Sequence, residues 1–536
     1  MSVIIENPVI RGFYPDPSVC EANGKYYLAC SSFQYFPGVP LFESSDFINW
    51  KPIGHAITRK TQIDLCRVPS SGGVFAPVLR YHKGRFYMAA NHNTLGRNFY
   101  LYTDDIYDEW SEPVFVDQEG IDPSLLFDEG RVYFTSNGKD ENGNPCILQC
   151  EIDIETGEKL TKSVVIWHGS GGRYVEAPHL YHIGGWYYLM AAEGGTEYGH
   201  MVTYARAKSP CGPFEGWQKN PVLTNRNLGG DQSLIQGIGH GDMIKGPDGR
   251  YYIVCLGFRQ IDQWLPFHHL GREVFLTRVD WLEDGWFCAG EDGTVHAREK
   301  LPLNGEQKTD FQYDFMPEDC VKDNPRWLYL RDKREENYRF HKDGVDLRGT
   351  PVRLCDVDSP TFIAVRQSEF FTRLSVEVKG ECREAGVTVY MDEEHHYDLF
   401  CTWNGREKRA ALRLHIGDAQ QIVNEISLEQ EEKTGLKIVS DNEAYRFWVV
   451  TGGKTHYLGK AAAKHLSSEA AGGFTGVVAG LYAVDFSALC ADGNWAGFSQ
   501  LRWIQRQVDV QEKTEGQKKA WDEMEQEDRK NQGEES

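Results

Sequence analysis

Positive charge is in short supply in this chain. Lys and Arg number 57 against 79 Asp and Glu, a formal net charge of −22 over 536 residues. A surface of that sign repels phosphate backbones and anionic headgroups, which argues against nucleic acid and membrane as partners and suits a neutral ligand. Long apolar runs are missing too, and no window approaches a membrane-spanning length. The opening Met-Ser-Val-Ile-Ile-Glu-Asn-Pro has neither a basic stretch nor an apolar core, so no signal peptide is expected. The 13 cysteines include no Cys-x-x-Cys pair. Their odd number and scatter exclude a disulfide frame or zinc site and predict reduced, buried thiols in a cytoplasmic protein, Cys20, Cys30, Cys66 and Cys255 among them.

What the chain does have is a repeat. Pro17…Gly24…Tyr27, Pro77…Gly84…Tyr87, Pro123…Gly130…Tyr133, Pro178…Gly185…Tyr188 and Asp242…Gly249…Tyr252 share one spacing, the glycine seven and the tyrosine ten positions after the anchor. That length fits a strand, a turn accepting positive φ at glycine, and the start of a second strand. Successive anchors stand 60, 46, 55 and 64 residues apart, the spacing of propeller blades or solenoid units. The units are rich in Val, Tyr and Phe and lack helical periodicity, so the expected fold is all-β, beginning with a five-bladed β-propeller over residues 1–300.

A repeat also says where chemistry should sit, because equivalent positions of every blade form rings around the axis. Immediately before the anchors stand Asp16, Ala76, Asp122, Ala177 and Gly241; one step earlier stand Pro15, Phe75, Ile121, Glu176 and His240. Three carboxylates and a histidine, far apart in sequence, thus occupy two adjacent rings. Strict strand alternation would send adjacent positions to opposite faces. Both rings reach one cavity only if these residues lie in the entry loops or at strand starts, as the conformational restriction before proline suggests. A single Asp-Pro is ordinarily a turn former bonding its own backbone; three carboxylates in register with a repeat point to a site.

Beyond the propeller, residues 301–320 lose the pattern and read as a linker. From 321 to 509, longer alternating segments such as Ser375–Lys379, Gly386–Tyr390, Ala411–His415, Tyr445–Val450 and Gly480–Val484 predict an antiparallel β-sandwich of jelly-roll or concanavalin type. Residues 510–536 are dense in Glu, Lys and Gln and are expected to be a disordered tail.

The strings Gly12-Phe-Tyr-Pro-Asp16-Pro-Ser, Ser31-Ser-Phe33-Gln-Tyr-Phe-Pro-Gly, Gly120-Ile-Asp122-Pro-Ser, Tyr174-Val-Glu176-Ala-Pro-His, Ala192-Glu-Gly-Gly-Thr and Gly239-His240-Gly-Asp resemble glycoside hydrolase family 43. The likeness is to its β-xylosidases and α-L-arabinofuranosidases with a C-terminal β-sandwich, and it covers roughly residues 5–505. It implies an inverting exo-hydrolase that releases xylose or arabinose from the non-reducing ends of short neutral oligosaccharides. By motif, Asp16 would be the general base, Glu176 the general acid, and Asp122 the residue that orients the acid and raises its pKa. Arg272, in His269-Leu-Gly-Arg-Glu, would bind sugar hydroxyls. His240 would lie on the propeller axis, where some relatives hold a calcium ion or a water; no other cofactor is implied. Phe33 and Phe75 would line the sugar pocket, and Phe498 would reach its wall from the sandwich. Phe75 departs from the tryptophan usual there, which leaves a smaller stacking surface.

An inverting mechanism needs one protonated carboxyl at the leaving oxygen and one ionised carboxylate that activates water on the opposite ring face. Carboxylates on different blades meet that demand more readily than neighbours on one strand. The alternative is a sugar-binding propeller without catalysis, a lectin or sensor, which would need hydroxyl partners but no acid–base pair. A β-fructosidase-like reading lacks its Arg-Asp-Pro and Glu-Cys motifs in the propeller. Xylose against arabinose, and whether the protein forms a homo-oligomer, stay open at this level.

Overall fold

The computed structural model describes residues 2–506, apart from 230–233, 262–265, 309–312, 381, 404–405, 430–432 and 487–493. The expected tail 510–536 lies outside the described residues. The chain divides into two compact units, one of Met1–Gln263 with Arg272–Thr309, the other of Trp264–Gly271 with Asp310–Ser536. The described residues contain no helix long and apolar enough to cross a membrane.

The first unit is built of five four-stranded antiparallel sheets in chain order. Their innermost strands are Ser18–Ala22, Val78–His82, Ser124–Asp128, Glu176–Ile183 and Ile235–Lys245. Each innermost strand neighbours the next, and the fifth returns to the first, so the five sheets are blades around one axis. The repeat glycines occupy the turns between first and second strands: Gly24, Gly84, Gly130 and Gly249 have φ between 79° and 87°, the region glycine enters at no steric cost. Between blades the packing is apolar. Tyr27, Leu79, Phe86 and Met88 belong to one buried cluster, Tyr188, Met190, Ile253 and Phe275 to another.

Closing the ring falls to the first residues of the chain. Strand Val3–Glu6 pairs with Arg298–Leu301. The Asn7 amide donates to the carbonyls of Leu276 and His296, and its oxygen accepts from the Leu276 N–H. Gln307 bonds both the N–H and the C=O of Glu6. Part of the stretch 301–320 therefore serves closure, while Phe315 pairs with Trp503 in the second unit.

The second unit is a sandwich of a six-stranded and a seven-stranded sheet. All five segments named from the sequence fall within its strands, for example Ser375–Lys379 in Phe371–Gly380 and Ala411–His415 in Lys408–Ile416. Phe498 corrects an expectation. It lies in Trp495–Arg506, opposite Val345 and Val378, and is 1% exposed. Alternation turns its ring inward with Ala496, so it is core of the sandwich and not a pocket wall.

Candidate active site

Adjacent ring positions converge because the strand entries are bulged. Asp16, Asp122 and Ala177, each directly before an anchor proline, have φ of 55°, 53° and 51°, and His240 has 44°. Pairing slips between Glu176 and His179, and again between Gly239 and Asp242. The restriction before proline favours extended backbone; Asp16, Asp122 and Ala177 are left-handed instead. Such residues break the alternation and turn two neighbouring side chains toward the same side.

Asp16 is 6% exposed and does not bond its own turn. Ser31 Oγ donates to its Oδ2 at 2.5 Å, Arg272 Nη1 donates to Oδ1 at 3.0 Å, and His240 Nδ1 stands 3.5 Å from Oδ1. Burial opposes ionisation here, but Arg272, His240 and the Ser31 hydroxyl outweigh it and hold the carboxyl below its usual value. The pairing is sewn into the backbone: Tyr14 N–H donates to Arg272 C=O at 3.0 Å and Gly12 N–H to the Glu273 carboxylate at 2.7 Å. Arg272 is 5% exposed, not the solvated arginine composition would suggest, and its Nη1 also donates to Thr196 Oγ1 at 2.8 Å.

Asp122 and Glu176 form the other half. Asp122 Oδ2 accepts the Ala177 N–H at 3.1 Å, which ties the third blade to the residue after Glu176. Burial, then the charges of Glu176 and Asp16, push Asp122 well above its usual value. Burial, then Asp16, push the half-buried Glu176 up to about 7. Two neighbouring acids that disfavour each other's ionisation titrate as a pair and keep a proton near neutral pH. Gly120, with φ of 89°, sets the approach to Asp122; a Cβ there would overlap the Asn137 carbonyl. Asn91 and Asn98 both donate to its carbonyl.

Around the acids stand aromatic and imidazole groups. Phe33 and Phe75 meet with centroids 5.0 Å apart, and Phe13 and Arg272 close over Phe33 at 5.8 and 5.7 Å. Phe33 is left 2% exposed, so the half-buried Phe75 offers the more open ring. Burial lowers the pKa of His240 and takes that of His200 down to about 3, which disfavours the imidazolium form of both. His268 takes no part: its Nδ1 pairs with Glu469 at 2.6 Å within the second unit.

Below His240 lies a network that sequence reasoning missed. Asp242, fully buried, takes Arg80 at 2.8 and 3.2 Å, Ser18 Oγ at 2.6 Å, Tyr181 OH at 2.6 Å and Val19 N–H at 3.0 Å. Arg80 Nη2 also meets His179 Nδ1 at 2.9 Å, and the His179 and His240 rings are 6.1 Å apart. The signal was available in the repeat, since Arg80 and Tyr181 both stand three residues after their anchors. The arrangement does not fit a calcium ion at His240. Calcium wants six to eight oxygens, and the Asp242 oxygens are engaged by Arg80, Tyr181 and Ser18. Among the described residues no group of three His, Cys, Asp or Glu is placed to hold a metal.

Comparison with known proteins agrees with this geometry. Glycosyl hydrolases family 43 matches residues 5–287, and the beta xylosidase C-terminal concanavalin A-like domain matches residues 319–503. The chain is 37% identical over 494 residues to a Bacteroides ovatus non-reducing end alpha-L-arabinofuranosidase, covering 89% of this chain and 90% of that protein. It is 33% identical over 443 residues to a Butyrivibrio fibrisolvens xylosidase/arabinosidase, covering 77% and 82%. A solved structure, the Bacteroides ovatus xyloglucan PUL GH43B, superposes with a TM-score of 0.85 at 34% identity, covering 94% of this chain and 99% of that one. With a five-bladed propeller, converging carboxylates and these matches over both halves, the chain belongs to glycosyl hydrolases family 43.

Proposed function

We propose that Asp16 is the general base and Glu176 the general acid of this inverting exo-glycosidase, with Asp122 positioning the acid. The observation that carries the assignment is the contrast in surroundings, with Ser31 and Arg272 bonded to Asp16 and no cation on Glu176 among the described residues. Asp16 is held ionised by Arg272 and Ser31, while Glu176 is raised to about 7. Asp16 then accepts a proton from the attacking water as it bonds to the anomeric carbon. Glu176 gives its proton to the glycosidic oxygen as that bond breaks, and no covalent glycosyl-enzyme forms. The Ala177 N–H favours the charged form of Asp122, which draws the proton of the pair toward Glu176. Asp122 also fixes the backbone next to the acid. Arg272 keeps the base ionised, and with Thr196 it offers donors to sugar hydroxyls.

The substrates we assign are short xylo- and arabino-oligosaccharides, cut at the non-reducing end. The relatives' names support both pentoses, and the half-buried Phe75 supports a pocket wide enough for an arabinofuranosyl as well as a xylosyl ring. A sugar-binding role without catalysis would not require carboxyls held in opposite protonation states. A cytoplasmic setting is supported by the burial of Cys20, Cys30 and Cys255 within the propeller; Cys66, expected buried, is exposed.

Glu176→Gln tests the roles directly. Its hydrolysis of a pentosyl xylooligosaccharide should fall by about 10²–10⁴-fold. The corresponding pentosyl fluoride, whose leaving group needs no proton, should be cleaved at a rate close to wild type. Asp16→Asn should lose both substrates. Equal loss of both substrates in Glu176→Gln would refute the acid assignment.

A further inference from the structure

The structure contains an aromatic platform that the reaction described so far does not use. Tyr174 lies two residues before Glu176, is 53% exposed, and holds φ at 55°, an uncommon conformation for an aromatic residue. Strain of that kind persists only where the surroundings hold it, and here the surroundings are specific. The Arg173 guanidinium sits 5.1 Å from the centroid of the Tyr174 ring. That guanidinium is itself tied to Glu197 at 3.0 Å and to the Gly194 carbonyl at 3.0 Å. The edge of the ring rests on Gly195, where an added Cβ would come within 3.3 Å of Tyr174 Cδ2. Gly195 is followed by Thr196, which accepts from Arg272, the partner of Asp16.

The ring is therefore set on the same short loop that braces the catalytic arginine, and on the same segment that delivers the acid. Glu193 anchors that segment, with its buried carboxylate accepting the N–H groups of Ser170 and Gly172 at 2.7 and 2.6 Å. Among the described residues the Tyr174 hydroxyl has no hydrogen bond, so the ring is held by its flank and not by its tip. A general acid faces the leaving group, and Tyr174 stands on the segment that leads into it with its ring open to solvent. A sugar presents a C–H face that packs on an aromatic ring.

We propose that Tyr174, backed by Arg173 and Gly195, forms the stacking surface for the leaving-group sugar and sets the preference for oligosaccharides over small leaving groups. The assignment rests on Glu176 being the general acid.

The test compares two substrates with the same pentosyl group, whichever the wild type releases, carried on a xylosyl residue in one case and on fluoride in the other. Tyr174→Asn removes the ring with a residue that tolerates positive φ. Its kcat/KM should fall about 3- to 10-fold on the xylosyl-linked substrate, mainly through KM, and stay unchanged on the fluoride. Tyr174→Trp should keep or improve the xylosyl-linked substrate. Equal losses on both substrates would make Tyr174 a support for Glu176 and overturn the proposal, as would no loss on either. A wrong acid assignment reads out separately, because Glu176→Gln would then fail to keep its activity on fluoride.

Discussion

Ser31→Ala isolates one interaction at the base without touching the pocket lining. Ser31 is fully buried, and the substitution removes only an oxygen. That oxygen donates to Asp16 Oδ2 at 2.5 Å, while Arg272 and His240 face the other carboxylate oxygen. A hydrogen bond to a charged group is worth about 1.5–3 kcal/mol. Because the hydroxyl acts on the ionised form of Asp16, its loss makes that form harder to keep. The sign follows from the depressed pKa of Asp16: its contribution is present at neutral pH and is lost as pH falls through the folded value. In Ser31→Ala the acid limb of kcat/KM against pH should therefore move to higher pH. At a pH on the wild-type acid limb the variant should be slower by about 10-fold or more, since about 1.4 kcal/mol is a factor of ten. On the plateau, where Asp16 stays ionised in both proteins, the difference should be small. Denaturant unfolding should show a deficit of about 1.5–3 kcal/mol at pH 7 that shrinks as pH falls through the folded pKa of Asp16. A uniform drop at all pH values with the acid limb in place would refute the reasoning, because Ser31 would then act on something other than the charge of Asp16.

The basic limb of the wild-type profile should fall near pH 7, as Glu176 gives up the proton it needs; in Asp122→Asn, relieved of a neighbouring charge, that limb should move to lower pH. Arg80→Met should destabilise the protein by about 3–5 kcal/mol in denaturant unfolding by leaving Asp242 buried and unpaired. Arg80→Met combined with Asp242→Leu should regain much of that loss, and a double variant no better than the single one would deny the pairing its role. Gly120→Ala should cost activity more than stability, read as residual kcat/KM in a protein that still melts cooperatively, because its Cβ displaces the approach to Asp122. Treatment with EDTA, followed by calcium, should leave kcat/KM unchanged in both steps, since Arg80 supplies the positive charge next to Asp242.

The repeat by itself determined the number of blades, the position of each first hairpin, and the two rings that carry Asp16, Asp122, Glu176 and His240. It could do so because a propeller is built from one local unit, and the spacing from anchor to glycine to tyrosine is set within ten residues. The alternation of Ser375–Lys379 or Ala411–His415 was equally local, and it placed the sandwich strands. Tertiary structure decided everything that depends on partners distant in the chain. Ser31 is adjacent to Asp16 only because Pro15 and Ser31 backbones pair. Arg272 reaches Asp16 across 256 positions through the closure of the ring. Whether Asp16 and Asp122 were turn formers or site residues turned on positive φ values that pre-proline preference did not foretell. Phe498 was assigned to a pocket from its motif, but strand register sends its ring into the sandwich core. Protonation was least legible of all, because the acids differ in their surroundings and not in their sequence. Arg272 and Ser31 keep Asp16 charged, while burial and a neighbouring negative charge leave a proton with Glu176 and Asp122.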